Sequence, residues 1–359
     1  MLIGICGSIC AGRSTVAQYL VSHHGFKRLE IRKPAQEGQD GPSAANGSGD
    51  QKAAAKTTGQ PLSFSDADEL LDFVTKRWRE RWVTVVTTVA VLDLLARRPF
   101  FLLISVDAPV TTRWKRLSQW LEKEGGGRAD RDHFADATAD AAADLSEFVR
   151  WSDDQMYDDS TGSMALMSRA AVHMLNTSPD VAHLYATLGK VDLTNEDRLR
   201  PSWDAYFMSL ASLAAHRSNC MKRRVGCVLV RGRRVVSTGY NGTPRGLRNC
   251  GEGGCPRCNE GAGSGVGLST CLCLHAEENA LLEAGRDRIG DGSVLYCDTC
   301  PCLTCSIKIA QVGIGEVVYS QGYSMDGDTA AVLREAGVKL RQYVPPANGL
   351  IHMERTELY

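Results

Sequence analysis

No sign of charge predominates in this chain. Its 41 Lys and Arg face 42 Asp and Glu, a formal net charge of -1, so no global field would hold a polyanion such as duplex DNA or an anionic membrane. Aromatic residues are sparse at 7%, too few for the basic, aromatic-lined channel that single-stranded nucleic acid usually requires. Long apolar runs are missing as well: the apolar start, Leu2 to Cys6, is far too short to span a bilayer, carries no basic flank and leads into glycine rather than a cleavage site. No internal repeat is apparent. These absences leave a soluble protein that meets small molecules, in which any phosphate recognition has to be local.

Cysteine is abundant. Thirteen are present in 359 residues, an odd count without a secretory segment before them, which fits a reducing compartment, cytoplasmic or nuclear, better than a disulfide framework. Eleven of them lie between Cys220 and Cys305, so metal chemistry is concentrated in the C-terminal half. The length favours two domains over one core.

The N-terminal half, 1–190, reads as an α/β domain of P-loop type. A short β-type run, Leu2 to Cys6, meets Gly7-Ser8-Ile9-Cys10-Ala11-Gly12-Arg13-Ser14 and then a helical pattern through Leu20. That is the strand, glycine loop and helix of a Walker A motif, with Gly7, Gly12, Arg13 and Ser14 as its phosphate-binding candidates. Arg13 stands where the motif has lysine, and its planar fork is no substitute for a compact ammonium between phosphates. The stretch 33–65, rich in Gly, Ala, Ser, Gln and Pro, reads as a disordered insertion. Asp66 to Arg97 has helical spacing, Pro99 to Val106 reads as a buried strand, Gly125 to Asp144 as a lid or surface loop, and Met164 to Asn176 as a helix. The segment resembles small-molecule kinases of the dephospho-CoA kinase type, and that resemblance implies Arg113 and Arg116, after Asp107, as candidate lid cations.

After a linker over 191–201, the pattern of 202–345 predicts a three-layer α/β/α domain with a mixed sheet, followed by a tail over 346–359. Ser202 can cap a helix running to about Asn219. Val225–Val230 and Val235–Tyr240 form a hairpin through a turn containing Gly232. Helices begin near His275 and Cys302, strands run over Ser293–Cys297 and Glu316–Tyr319, and a last helix and strand cover roughly 327–336 and 338–343.

Within that domain, His275-Ala276-Glu277 and Pro301-Cys302-Leu303-Thr304-Cys305 supply an imidazole, two thiols and one free carboxylate. His275, Cys302 and Cys305 are the expected ligands of a catalytic Zn2+. Three ligands leave the fourth tetrahedral position for water, where a structural site would close the shell. Glu277 need not ligate, and its expected task is to take a proton from the attacking water and pass it to the substrate. H-x-E followed by P-C-x-x-C is a known signature of zinc-dependent base deaminases, so this match is recognised rather than independently derived.

The resemblance extends far beyond the zinc motif. Ser202-Trp203-Asp204-Ala205-Tyr206-Phe207-Met208, Arg223-Arg224-Val225-Gly226, Ser237-Thr238-Gly239-Tyr240-Asn241-Gly242-Thr243-Pro244 and Cys273-Leu274-His275-Ala276-Glu277-Glu278-Asn279-Ala280 together resemble the deoxycytidylate (dCMP) deaminases of the cytidine deaminase superfamily. The long N-terminal extension looks most like the fungal members. What the resemblance implies is hydrolysis of dCMP to dUMP and ammonia, supplying thymidylate synthesis. It further implies activation by dCTP and inhibition by dTTP, with Mg2+ accompanying the effector, and a homo-oligomer, commonly a hexamer. By the family's pattern Asn241 approaches the nucleotide. Arg217, Arg223, Arg224 and Arg245, with Ser218, are the candidates for phosphate, and Tyr319 and Tyr323 for stacking. Cys250, Cys255, Cys258, Cys271 and Cys273 could close a second, structural zinc. The kinase resemblance of the N-terminal half further implies a degenerate kinase-like sensor or scaffold, or else an active kinase.

Two other readings stay open at this point. One is a deaminase of free cytidine or deoxycytidine, or of a base in RNA or single-stranded DNA. The other, of a different class, is a catalytically silent zinc-stabilised nucleotide-binding module, for which Glu277 would have no chemical use. No polymeric nucleic acid and no membrane is expected as partner.

Overall fold

An apolar run without alternation belongs in a strand covered on both faces, and β1 (Leu2–Gly7) is buried along its whole length between two parallel neighbours. The computed structural model describes residues 1–32, 61–122, 144–158, 161–261, 263, 266–322, 327–345 and 349–352. Two units result, Met1–Arg200 with Ala347–Tyr359, and Pro201–Pro346.

In the first unit β1 is followed by α1 (Arg13–His24), β2 (Lys27–Ile31), β3 (Leu62–Phe64), α2 (Ala67–Lys76), β4 (Trp82–Val85), α3 (Val89–Leu95), β5 (Phe101–Asp107), α4 (Val110–Glu122), α5 (Leu145–Tyr157), α6 (Ser163–Met167), β6 (Val172–Leu175) and α7 (Val181–Val191). The strands lie in the order β6-β5-β1-β4-β2-β3, every pairing parallel. Alternate residues face opposite layers: Ile3, Ile5 and Ile104 pack with Val16 and Leu20, whereas Leu2, Leu29 and Leu103 pack with Leu70 and Leu92.

Several expectations need correction here. The helix expected over Asp66–Arg97 is interrupted by β4, and the one expected over Met164–Asn176 is a short α6 followed by β6. Both strands are four residues long, too short for a period-2 pattern to stand out against the helical spacing beside them. Of the insertion 33–65, residues 33–60 lie outside the described residues, but Leu62–Phe64 forms β3 beside β2. The loop read over Gly125–Asp144 also lies outside them except for Asp144, which caps α5 by accepting from Ser146 N at 3.0 Å.

The second unit begins where Ser202 Oγ accepts from Ala205 N at 3.3 Å and caps α8 (Trp203–Ala215). A hairpin of β7 (Gly226–Arg231) and β8 (Arg234–Tyr240) follows. Its turn residues Gly232 and Arg233 both have positive φ, 57° and 62°, the conformation that matches strand twist. Then come α9 (Pro256–Asn259), α10 (Ala276–Ala284), β9 (Val294–Thr299), α11 (Leu303–Val312), β10 (Glu316–Gln321), α12 (Gly327–Glu335) and β11 (Lys339–Gln342). The sheet order is β11-β10-β9-β7-β8; β7 is antiparallel to β8 and β9, and β9, β10 and β11 are parallel.

Strand alternation sets the three layers. Val228, Val230, Tyr296 and Val318 meet Phe207, Met208 and Ala211 of α8 on one face. Cys227, Leu229, Leu295 and Val317 meet Ala276, Ala280, Ile309 and Leu333 of α10, α11 and α12 on the other. The start of α8 is also pinned to the sheet, since Asp204 accepts from both Nη atoms of Arg341 at 2.6 and 3.1 Å and from Tyr296 Oη at 2.8 Å. Those bonds from Arg341, first of all, hold the Asp204 carboxyl below its usual range.

Where the sequence suggests only a tail over 346–359, β12 (Gly349–His352) adds in parallel to β6 and makes the first sheet seven-stranded. Four residues with one apolar pair carry too little pattern to announce a strand. Among the described residues no helix is long and apolar enough to cross a membrane.

Candidate active site

Helix starts carry the reactive groups. His275 and Cys302 occupy the N-cap positions of α10 and α11, and neither side chain caps its own helix. Each is turned instead towards the other: His275 Nδ1 lies 3.3 Å from Cys302 Sγ and 3.4 Å from Cys305 Sγ. The three donor atoms lie within 4.8 Å of one another, a spacing that one ion with metal–donor bonds of about 2.0–2.3 Å would bridge. Cys305 is 1% exposed, while His275 and Cys302 are half-buried. One imidazole and two thiolates are a donor set suited to Zn2+, and the residues fit that ion.

The three donors shift one another's acidity. Hydrogen bonding from Cys305 above all, and then from His275, pulls the Cys302 thiol down to about 3. The same pairing pushes Cys305 up, and the Cys302 hydrogen bond raises His275. Glu277 is 4% exposed, and burial pushes its carboxyl up to about 7. It belongs to none of the donor clusters among the described residues. A buried acid near neutrality and outside the donor set is suited to carry a proton in both directions.

Why α10 sits so close to the sheet is explained by Gly239 on β8. A Cβ there would lie 2.1 Å from Ala276 O and 2.5 Å from Ala280 N, so any larger residue would push the first turn of α10 outward. Ser237 Oγ donates to Ala280 O at 2.7 Å and Asn279 Nδ2 to Tyr240 O at 2.9 Å, fastening the same helix.

Asn241 directly follows β8, and the next residue, Gly242, exchanges backbone hydrogen bonds of 3.1 and 2.8 Å with Leu274, one residue before His275. Its side chain is 8% exposed. Oδ1 accepts from Ser218 Oγ at 2.6 Å and Val225 N at 2.9 Å, and Nδ2 donates to Arg223 O at 2.7 Å. One amide hydrogen of the four bonding positions is left. Arg217, Arg224 and Arg245 are exposed, and Arg223 is half-buried with Nη2 donating to Gln321 Oε1 at 3.2 Å. Tyr319 is 7% exposed; Tyr323 lies outside the described residues.

Sequence reasoning missed two residues here. Asp298, on β9, has a buried Oδ1 without a hydrogen-bond partner among the described residues, and burial raises its carboxyl. A lone Asp within a strand carries no motif that could have singled it out. Cys220 is the other. It joins Cys250, Cys255, Cys258, Cys271 and Cys273 in one cluster, and only its position in space reveals it.

The glycine loop lies in the first unit. Gly7 has φ 138°, and a Cβ on it would stand 1.9 Å from Val106 O, so the turn into the loop requires glycine. Gly12 is the N-cap of α1, followed by Arg13 and Ser14 in its first turn. Ser8 Oγ donates to Asp107 Oδ1 at 2.6 Å. Arg116 does not reach outward as a lid cation: its Nη1 donates to Ala11 O at 3.1 Å and its Nη2 to Ser178 O at 3.1 Å. Arg113 is 6% exposed and donates to Ala108 O and Ser152 Oγ.

Residues 201–321 match the family described as "Cytidine and deoxycytidylate deaminase zinc-binding region". The chain is 47% identical over 349 residues to the deoxycytidylate deaminase of Schizosaccharomyces pombe, covering 97% of this chain and 99% of that protein. It is 40% identical over 352 residues to the deoxycytidylate deaminase of Saccharomyces cerevisiae, covering 96% of each. The crystal structure of the dCMP deaminase from cyanophage S-TIM5 in apo form is 31% identical, with a TM-score of 0.32, covering 40% of this chain and 99% of that one.

Proposed function

The chain belongs to the deoxycytidylate deaminase family, and from that premise we propose how its side chains divide the work. The enzyme converts dCMP and water to dUMP and ammonia. The observation that carries the reading is the convergence of His275, Cys302 and Cys305 with Glu277 buried outside the donor set. When bound by the trio, Zn2+ supplies the Lewis acidity that brings the pKa of water towards neutrality. Glu277 takes a proton from the attacking water and delivers it to the pyrimidine. The new bond forms at the ring carbon that carries the amino group, and the bond to nitrogen breaks as ammonia leaves.

Asn241 is proposed to fix the sugar or base through its one remaining amide hydrogen. One or two of Arg217, Arg223, Arg224 and Arg245 are proposed to hold the monophosphate, whereas Ser218, whose one hydroxyl hydrogen goes to Asn241, is left to position Asn241 rather than phosphate. We further propose activation by dCTP and inhibition by dTTP, each with Mg2+, a homo-hexamer, residence in the cytoplasm or nucleus, and a structural zinc in the cysteine loop. Ammonia release by the full chain from dCMP, deoxycytidine, CMP and a short oligonucleotide, with and without dCTP or dTTP, tests this reading. dCMP is expected to turn over fastest, dCTP to raise its rate and dTTP to lower it; equal or faster turnover of deoxycytidine overturns the nucleotide assignment.

The first unit is proposed to be a degenerate P-loop kinase-like domain that senses a nucleotide or serves as scaffold. Arg13 keeps the charge of the missing lysine without its reach, and Arg116 is engaged on the loop's own carbonyls. ATP-dependent phosphorylation of a nucleotide or coenzyme precursor by the full chain is expected to stay at background, and robust phosphotransfer would refute the degenerate assignment.

A further inference from the structure

The proposed structural zinc of the cysteine loop can be taken further. Among the described residues two sets of four cysteines come together, Cys220, Cys250, Cys258 and Cys273, and Cys255, Cys258, Cys271 and Cys273. They share Cys258 and Cys273. We propose that the six thiolates hold two zinc ions, with Cys258 and Cys273 bridging, Cys220 and Cys250 completing one tetrahedron, and Cys255 and Cys271 the other.

Distances favour metal over the alternatives. Cys220–Cys258, Cys255–Cys271, Cys258–Cys271 and Cys258–Cys273 all have sulfur–sulfur separations of 3.9 Å. A disulfide needs about 2.05 Å, whereas the edge of a tetrahedral tetrathiolate site with zinc–sulfur bonds of about 2.3 Å is about 3.8 Å. Backbone amides also point at the sulfurs. Met221 N donates to Cys250 Sγ and Leu272 N to Cys255 Sγ, each at 3.4 Å, and the amides of Lys222 and Arg223 donate to Cys220. Arg257 Nη1 lies 3.7 Å from Cys271 Sγ. Donors arranged around sulfur stabilise thiolate rather than thiol.

Ordinary packing does not account for the cluster. Among the described residues its buried and half-buried members are all cysteines, yet they anchor the excursion between β8 and α10. Among its described residues that excursion has one isolated bridge, Gly242 with Leu274, a four-residue helix and two short 3-10 turns as its regular elements. So long a connection without its own apolar core is the kind of segment that metal staples secure. A single ion in either tetrad would leave two of the six buried or half-buried sulfurs without a role, and the geometry prefers neither tetrad. Two dications against six thiolates leave a net charge of -2, which Arg257 adjoins. The cluster also has a use at the active site. Cys220 lies two residues beyond Ser218, which holds Asn241, and Cys273 lies two residues before His275, so both walls of the nucleotide site are tied to one anchor.

This inference rests on the loop being a metal site, and its test separates the two claims. Zinc is counted by mass spectrometry on the full chain after passage over a weak chelator, with protein measured by amino-acid analysis. Three zinc ions per chain are expected, one in the His275 site and two in the cluster. Two per chain overturns the paired cluster while leaving a structural zinc, and one overturns both. Replacement of the zinc by cadmium-113 then reads the bridges: the two cluster resonances are expected to be split by coupling through the shared sulfurs, and unsplit signals overturn the bridging assignment. Neither readout depends on deamination, which the ammonia assay tests by itself.

Discussion

Glu277→Gln is expected to lower kcat for dCMP by about 10²- to 10⁴-fold, the range that a positioned acid or base contributes, while zinc content stays at the wild-type level. The amide keeps the size and shape of the carboxyl group but can neither accept the water's proton nor return it. Glu277 is 4% exposed, and the isosteric amide neither adds a buried charge nor opens a cavity there, so thermal stability should be unchanged or slightly higher. This split distinguishes a proton carrier from a structural acid. If Glu277 merely favoured the start of α10, as acidic first-turn residues do, its loss would lower the melting temperature and spare kcat. Steady-state ammonia release at saturating dCMP, with zinc analysis and a thermal melt on the same sample, checks all three. A variant retaining more than about a tenth of wild-type kcat would remove Glu277 from the mechanism.

The two units differ in how much of them can be read from sequence, and the reason lies in their sheets. In the second unit β7 and β8 form a hairpin with a glycine turn, and the helices that follow begin at residues whose chemistry is conspicuous, His275 and Cys302. Period and motif agree there, so the layers and the convergence of His275, Cys302 and Cys305 are both legible. In the first unit every strand pair is parallel, so no hairpin turn marks where one strand ends and its neighbour begins. Strands such as Trp82–Val85 and Val172–Leu175 are then four residues long without a turn signal beside them, and disappear into the helical spacing around them. Gly349–His352 is harder still, because its partner β6 is distant in sequence. The same limit explains Cys220. Cys255-x-x-Cys258 and the pair Cys271 and Cys273 announce themselves by spacing, but Cys220 stands beyond the whole hairpin and is brought to Cys258 only by the fold. Asn241 shows a further kind of gap. Its place at a strand end before glycine is visible in sequence, whereas the three hydrogen bonds that tie its amide to Ser218, Arg223 and Val225 depend on how the end of α8 meets β8.

Cys305→Ser is expected to remove the catalytic zinc, leaving any cluster metal in place, and to reduce dCMP turnover to background, a loss of at least 10³-fold on the scale of metal-assisted water activation. Serine is close to cysteine in size, so the core around Cys305, which is 1% exposed and packs with Ala276 and Ile309, need not collapse. A neutral hydroxyl is a poor ligand where a thiolate served, and the remaining His275 and Cys302 are half-buried and would hold an ion weakly. Stability should fall too, for a reason built into the helix ends. His275 and Cys302 sit at N-cap positions without capping their helices, forgoing about 1 kcal/mol at each end that Ser, Asp or Asn would provide. A metal joining the two ends more than compensates for that loss, and a thousandfold weaker affinity withdraws about 4 kcal/mol of stabilisation by mass action. For a domain of this size that corresponds to a drop of roughly 8–16 °C in melting temperature. Chelation of the wild-type enzyme should shift the melt in the same direction, and added zinc should restore it in the wild type but not in Cys305→Ser. A variant with full zinc content and unchanged turnover would show that Cys305 is not a ligand, and with it would fall the grouping of one imidazole and two thiolates on which the proposed chemistry stands.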